Sequence, residues 1–168
     1  MKILLPLATL SMIIVGIGCN QNQEAFRMDS GSDEAPAPDP RAEKLWSDDL
    51  TKAKERAKKG NKLILLDFTG SDWCPPCMAL HDFVLTQPEF LDFAEKNLEL
   101  VELDFPKNKP IDKKLAERNA KLVEKYNING FPTIIVLDTA GKIIHRDVGY
   151  SGKHAKAYTS NLQKTLGR

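Results

Sequence analysis

Two cysteines in a C-x-x-C arrangement constrain this chain more than any other feature of its sequence. Cys74 and Cys77 enclose two prolines and follow an almost wholly apolar run over residues 63–68. Such a run is typical of a strand that is covered on both faces, as in a mostly parallel sheet. Prolines are tolerated in the first turn of a helix, because the N–H groups there have no intrahelical partners. The sequence therefore predicts a buried strand, a short loop and a helix that runs from the cysteine pair to about residue 85.

The rest of the chain alternates between helical and extended patterns. Helices are predicted from a cap at Ser47 or Asp48 to residue 59, and over residues 88–96, 111–126 and 151–166. Strands are predicted over residues 98–105, 133–137 and 142–147, the last two joined by a turn at residues 138–141. Helices between the early strands imply parallel pairing, whereas the final hairpin is antiparallel. The expected fold class is α/β, with a mixed central sheet and helices on both faces.

The position of the cysteine pair favours redox chemistry over metal binding. A structural zinc site needs about four ligands, and beyond this pair the folded part offers only the scattered histidines 81, 145 and 154. At a helix start, the helix dipole and backbone N–H groups can lower the pKa of a cysteine from about 8.5 to roughly 3.5–7.5. Thiolate Cys74 would then attack a disulfide, and Cys77, further into the helix and less exposed, would resolve the mixed disulfide.

Two other interpretations of the pair stay open at this point. The cysteines could form a static disulfide in a non-catalytic peptide-binding module, or the protein could carry a metal ion. An ordinary thiol pKa would indicate the first, and stoichiometric metal after purification would indicate the second. We also expect His81 to have no direct role and Asp72 to be a solvent-facing charge near the site.

The first 18 residues are typical of an export signal. Lys2 precedes an apolar run over residues 3–17, which is shorter than the roughly 18 apolar residues of a spanning helix. The segment and the cysteine after it resemble a bacterial lipoprotein signal, which implies that Cys19 is lipidated and that the protein is exported and membrane-anchored on the periplasmic side. The alternatives are conventional cleavage or a retained anchor, with Cys19 incidental. Lipidation would leave one cysteine pair in the mature chain, Cys74 and Cys77.

A polar, proline-rich stretch separates this signal from the folded part. Residues 19–40 are predicted to be the lipid-attachment cysteine and a flexible linker, with an r.m.s. span of roughly 25 Å for about 21 residues. Residues 41–168 form the predicted folded domain. In the whole chain, acidic and basic residues nearly balance, at 23 and 24, which excludes the basic stripe of a nucleic-acid-binding protein. A monomer without a cofactor is expected.

Two motifs resemble those of the thioredoxin family. Residues 73–77 (WCPPC) are similar to the W-C-x-x-C motif of that family, and residues 130–133 (GFPT) are similar to its cis-proline loop. The resemblance covers about residues 44–166 and is specific to exported bacterial thiol:disulfide interchange proteins, including the C-terminal domain of the transmembrane interchange reductase. It implies a thioredoxin-like fold and a protein-disulfide oxidoreductase. It also implies a substrate groove built from Trp73, Phe131, Pro132 and Gly149.

The same resemblance assigns the proton chemistry and the partners. Asp67 corresponds to the family's buried acid and would take the proton from Cys77 during resolution, although it lies seven residues before Cys74 where the family has six. Glu102 aligns with a basic residue of the family, so the titration of Asp67 should differ here. The implied partners are disulfide-containing client proteins and a membrane or periplasmic thiol–disulfide electron donor. The implied direction is reduction of the client, and oxidation or isomerisation stay open as alternatives.

Overall fold

The computed structural model describes residues 34–168, so the signal segment, Cys19 and most of the linker lie outside the described residues. The described part contains a five-stranded sheet in the order β1-β3-β2-β4-β5. The strands are β1 (Trp46–Ser47), β2 (Leu63–Thr69), β3 (Leu98–Asp104), β4 (Thr133–Leu137) and β5 (Ile143–Val148). β3 pairs in parallel with β1 and β2, whereas β4 pairs antiparallel with β2 and β5. The predicted mixed sheet is confirmed.

Helices cover both faces of this sheet. They are α1 (Ala42–Leu45), α2 (Leu50–Gly60), α3 (Pro75–Leu80), α4 (Pro88–Asn97), α5 (Lys113–Tyr126) and α6 (Ala155–Leu166). A π-helical turn, His81–Leu85, continues α3. One core packs residues of α3, α4 and α6 against the sheet, and a second core packs residues of α2 and α5 against the other face. No helix among residues 34–168 is long and apolar enough to cross a membrane.

Strand β2 positions the functional part of the molecule. It lies between β3 and β4, and all seven of its residues are buried. Because side chains alternate along a strand, Leu63, Leu65 and Asp67 share one face. Leu63 and Leu65 belong to the core that contains Leu80 and Val84, so Asp67 lies on the sheet face covered by α3 and its π-helical turn.

The residue that caps α2 differs from the prediction. The α2 cap is Asp49, not Ser47 or Asp48, because the Asp49 carboxylate accepts the N–H groups of Thr51 and Lys52 at 2.9 and 3.1 Å. Ser47 instead lies in β1, paired with Val101.

The closing helix also starts later than predicted. Residues 151–154 are extended or irregular, and α6 begins at Ala155. Gly152 has a φ of +76°, a left-handed conformation that interrupts a helix. The predicted start at residue 151 is therefore wrong by one turn.

Contacts just before α1 fix where the chain enters the domain. The N–H of Asp39 donates to the carbonyl of Thr86, at the end of the π-helical turn, at 2.9 Å. Arg41 forms ion pairs with Asp39 at 2.7 Å and with Asp92 of α4 at 2.8 Å. The backbone is thus attached beside α4 before the first helix begins.

Candidate active site

Cys74 and Cys77 are joined by a disulfide at the start of α3, with their Cα atoms 5.2 Å apart. Cys74 caps the helix in an extended conformation, and its carbonyl accepts the N–H groups of Cys77 and Met78 at 3.0 and 3.1 Å. Cys74 is 5 % exposed and Cys77 is 2 % exposed, so the expected difference in accessibility is small in this disulfide state. The prolines of the motif occupy the first helical turn, as the sequence predicts.

A tight loop holds Trp73, the residue directly before the redox pair. The carbonyl of Gly70 accepts the N–H groups of Trp73 at 3.4 Å and of Cys74 at 3.0 Å. A Cβ atom at Gly70 would lie 2.5 Å from the Trp73 ring, so only glycine fits this approach. The indole Nε1 of Trp73 donates to the carbonyl of Phe105 at 2.7 Å. The ring is therefore fixed between two backbone segments.

The residues of the expected groove meet beside this loop. The rings of Trp73 and Phe131 pack edge to face, with centroids 5.8 Å apart. The peptide bond between Phe131 and Pro132 is cis, and the N–H of Gly149 donates to the Pro132 carbonyl at 2.8 Å. Within residues 34–168, no hydrogen bond occupies the backbone N–H or carbonyl of Phe131. The structure thus brings all four residues of the expected groove together, with the Phe131 backbone groups unpaired among residues 34–168.

The loop between β3 and α5 packs against Asp72 and Trp73, a contact that the sequence analysis did not predict. The Asp72 carboxylate accepts the N–H groups of Lys107 at 2.9 Å and of Asn108 at 2.6 Å. These hydrogen bonds hold the pKa of Asp72 below its usual value, and the bond from the Lys107 N–H has the largest effect. Lys107 Nζ lies 3.7 Å from the centroid of the Trp73 ring, a cation–π contact. The expectation that Asp72 is only a solvent-facing charge is therefore wrong.

Three carboxylates lie close together on the sheet face below α3. Asp67 is 3 % exposed and is the cross-strand partner of Glu102. Burial raises the pKa of Asp67 well above its ordinary value, and the charges of Glu102 and Asp104 raise it further. Burial and Asp104 also raise the pKa of Glu102, while His81 and Lys109 lower it. Within residues 34–168, Asp67 Oδ1 has no hydrogen-bond partner.

Asp104 is a site residue that sequence reasoning missed. Its carboxylate accepts the N–H and the hydroxyl of Ser71 at 2.9 and 2.7 Å, which ties the end of β3 to the loop before the cysteines. The available signal was its spacing of two from Glu102, which puts both side chains on one face of a strand. A pocket of about 480 Å³ opens here and is lined by both acids, Cys77 and His81.

Comparison with known proteins agrees with this geometry. The thioredoxin-like domain family matches residues 50–163, which is more than half of the chain. The chain belongs to this family. It is 34 % identical over 125 residues to the disulfide bond reductase DsbH of Chlamydia pneumoniae, covering 74 % of this chain and 75 % of that protein. It is 29 % identical over 87 residues to the thiol:disulfide interchange protein DsbD of Photorhabdus laumondii, covering 52 % of this chain and 14 % of that protein.

A solved structure supports the same relationship. The DsbH oxidoreductase structure superimposes with a TM-score of 0.69 at 31 % identity, covering 83 % of this chain and 92 % of that chain. The motif, the disulfide at the helix start and these relatives together identify a thiol–disulfide oxidoreductase whose redox pair is Cys74 and Cys77. The alternative of a non-catalytic module is thereby set aside.

Proposed function

We propose that this chain is an exported reductant of disulfides in client proteins. The observation that carries the proposal is the Cys74–Cys77 disulfide at the N-terminus of α3, beside a groove whose backbone is free at Phe131. The name of the DsbH relative, a disulfide bond reductase, supports the direction of electron flow. The relationship to an interchange protein supports an electron donor of the thiol–disulfide type.

The redox pair divides the reaction into two steps. In the reduced protein, the Cys74 thiolate attacks one sulfur of the client disulfide and releases the other as a thiolate. Cys77 then loses its proton to Asp67 and attacks Cys74 Sγ, which releases the second client sulfur as a thiolate and reforms the Cys74–Cys77 bond. Burial raises the pKa of Asp67 above its ordinary value, which makes its carboxylate a stronger proton acceptor than that of an exposed aspartate.

The groove is proposed to hold the client as an extended strand. The free N–H and carbonyl of Phe131 can pair with the client backbone, as in other forms of strand addition. Gly149, held by its bond to the Pro132 carbonyl, has no Cβ to narrow the groove. Trp73 and Phe131 form an aromatic wall next to Cys74. We expect these contacts to orient the client disulfide toward Cys74.

The location of the protein is part of the proposal. Residues 1–18 are proposed to direct export, Cys19 to carry lipid, and residues 19–40 to link the anchor to the domain of residues 41–168. Membrane fractionation of the full-length protein tests this. Wild-type protein should sediment with membranes and Cys19→Ser should not. Equal amounts of soluble protein for both would contradict the anchor without affecting the redox proposal.

The direction of electron flow is tested by the reduction potential of the full-length protein, equilibrated against dithiothreitol or glutathione buffers. A reductant should have a potential near the value of about −270 mV known for thioredoxin. A potential near about −120 mV, that of a strong oxidant, would contradict the proposal. Cys19→Ser is the matched control, because it removes a cysteine outside the site and should leave the potential unchanged.

A further inference from the structure

We propose that Glu102 is the group through which Asp67 exchanges its proton with solvent, by way of the pocket beside Cys77. This rests on the proposed function, in which Asp67 takes the Cys77 proton in each cycle. It goes further by assigning a route out of the buried site. The route depends on a carboxylate at residue 102, where the resemblance leads one to expect a basic residue.

The need for a route follows from the burial of Asp67. Its side chain is on a strand whose seven residues are all buried, and within residues 34–168 its Oδ1 has no hydrogen-bond partner. A base in such a place stays protonated after one turnover unless another group removes the proton. Of its two cross-strand partners, Ile134 is apolar and Glu102 is an acid. The sheet therefore offers a proton acceptor on the β3 side only.

Other groups near Asp67 fit this role less well. Tyr158 of α6 lies buried on the same side of the sheet as Asp67, and the charges of Asp147, Asp67 and Tyr150 act on its hydroxyl. Burial raises the pKa of Tyr158, so its hydroxyl keeps its proton throughout the neutral range and is a poor exchange partner. Asp104 is already engaged, since both of its oxygens accept hydrogen bonds from Ser71.

Glu102 joins the buried base to open space. Its side chain is half-buried, pairs in register with Asp67 on one side and lines the pocket of about 480 Å³ on the other. His81 and Asp82 of the π-helical turn, Asp104 of its own strand and Lys109 of the following loop face the same pocket. Burial and Asp104 raise the pKa of Glu102, so its carboxylate holds a proton more readily than that of an exposed glutamate.

The step balances without any additional reactant. The Cys77 thiol gives its proton to the Asp67 carboxylate, and the Cys77 thiolate attacks Cys74 Sγ of the mixed disulfide. The Cys74–Cys77 bond forms, the bond from Cys74 to the client breaks, and the client sulfur leaves as a thiolate. The cysteine pair is oxidised by two electrons and the client disulfide is reduced. Protonated Asp67 then passes its proton to Glu102, which releases it to water in the pocket.

The test compares full-length wild type with Glu102→Gln and Glu102→Ala. Each protein turns over a saturating disulfide-bonded peptide while a dithiol buffer re-reduces the cysteine pair, and the steady-state rate of peptide reduction, corrected for the rate without protein, is measured between pH 5 and 9. Glu99→Gln is the control, because Glu99 lies on β3 but on the opposite face, paired with Arg56 and Lys62. Far-UV circular dichroism checks that each variant is folded.

We expect Glu102→Gln to slow turnover about tenfold or more at neutral pH, less than the roughly 10²–10⁴-fold contribution of a group that takes the proton directly, because Glu102 acts through Asp67. The acid limb of the pH–rate profile of Glu102→Gln should shift to lower pH, because losing the negative charge of Glu102 lowers the pKa of Asp67. Added acetate should restore the rate of Glu102→Ala, whose pocket can admit a small carboxylate, but not that of Glu102→Gln. A purely structural role would not produce this rescue.

Two results would overturn the assignment. One is a wild-type rate and pH profile in Glu102→Gln, and the other is a slow Glu102→Ala that acetate does not restore. In either case, if wild type and Glu99→Gln reduce the peptide at the same rate, the proposed function stands. Failure of wild type to react with the disulfide peptide would remove the proposed function, and this assignment with it.

Discussion

The close contact between Gly70 and the Trp73 ring predicts a large effect from a single methyl group. In Gly70→Ala, the new Cβ would lie 2.5 Å from one ring carbon and 2.6 Å from the indole nitrogen. Contacts this short require the ring to move. Trp73 would then lose its hydrogen bond to the Phe105 carbonyl and its edge-to-face packing against Phe131.

The magnitude follows from three contributions. Overpacking beside a fixed ring costs about 1–3 kcal/mol, and the lost hydrogen bond costs about 1 kcal/mol. Replacing glycine restricts the unfolded chain and offsets about 0.4–1 kcal/mol of this loss. We therefore expect Gly70→Ala to lower the free energy of unfolding by about 2 kcal/mol.

Urea unfolding of the oxidised protein, followed by circular dichroism, measures this change. Gly60→Ala is the matched control, because a Cβ there lies 3.5 Å from the nearest atom of the flexible Lys62 side chain. Gly60 is the last residue of α2, so alanine there should raise the free energy of unfolding by up to about 1 kcal/mol. A Gly70→Ala protein within about 0.5 kcal/mol of wild type would refute the idea that the loop leaves no room beside Trp73.

Three further predictions concern the site. Because burial raises the folded-state pKa of Asp67, its contribution to stability is present at low pH and is lost as pH rises between the unfolded and folded values, by about 1.4 kcal/mol per pH unit. Asp67→Asn should remove that slope from urea unfolding curves measured across pH, and an unchanged slope would contradict the burial argument. Cys77→Ser should accumulate a mixed disulfide between Cys74 and a client peptide, detectable by non-reducing electrophoresis, whereas Cys74→Ser should not. The reverse pattern would exchange the roles of the two cysteines. Asp72→Ala should speed amide hydrogen exchange at Lys107 and Asn108. In wild type, their protection should be lost only as pH falls through the lowered pKa of Asp72; protection that persists in the variant would show that Asp72 does not hold the loop.

Local pattern was sufficient to predict the elements that carry the cysteines. The apolar run that became β2 and the prolines in the first turn of α3 both express preferences of neighbouring residues, so sequence reasoning located them to within one residue. The four-residue α1 and the two-residue β1 were missed, because elements so short have no periodicity to detect. The π-helical geometry of His81–Leu85 was also missed, since it differs from α-helix in hydrogen bonding and not in composition.

Contacts between distant segments could not be predicted in the same way. Alternation shows that Glu102 and Asp104 share a face of β3, but only the register with β2 places Glu102 opposite Asp67. The bonds from Lys107 and Asn108 to Asp72 join residues 35 and 36 positions apart, and no local preference specifies them. The groove was placed by resemblance to a family, which supplies such long-range information indirectly.

The attachment of the entering chain near α4 has a mechanical consequence. The contacts of Asp39 and Arg41 meet the domain at Thr86, just past the far end of the helix that starts after Cys74, and at Asp92 of α4. That helix and its π-helical turn span eleven residues, or roughly 16 Å. Tension applied through the preceding chain is therefore borne by this anchoring cluster, one helix length from the disulfide. Pulling on that chain therefore does not load the Cys74–Cys77 disulfide directly.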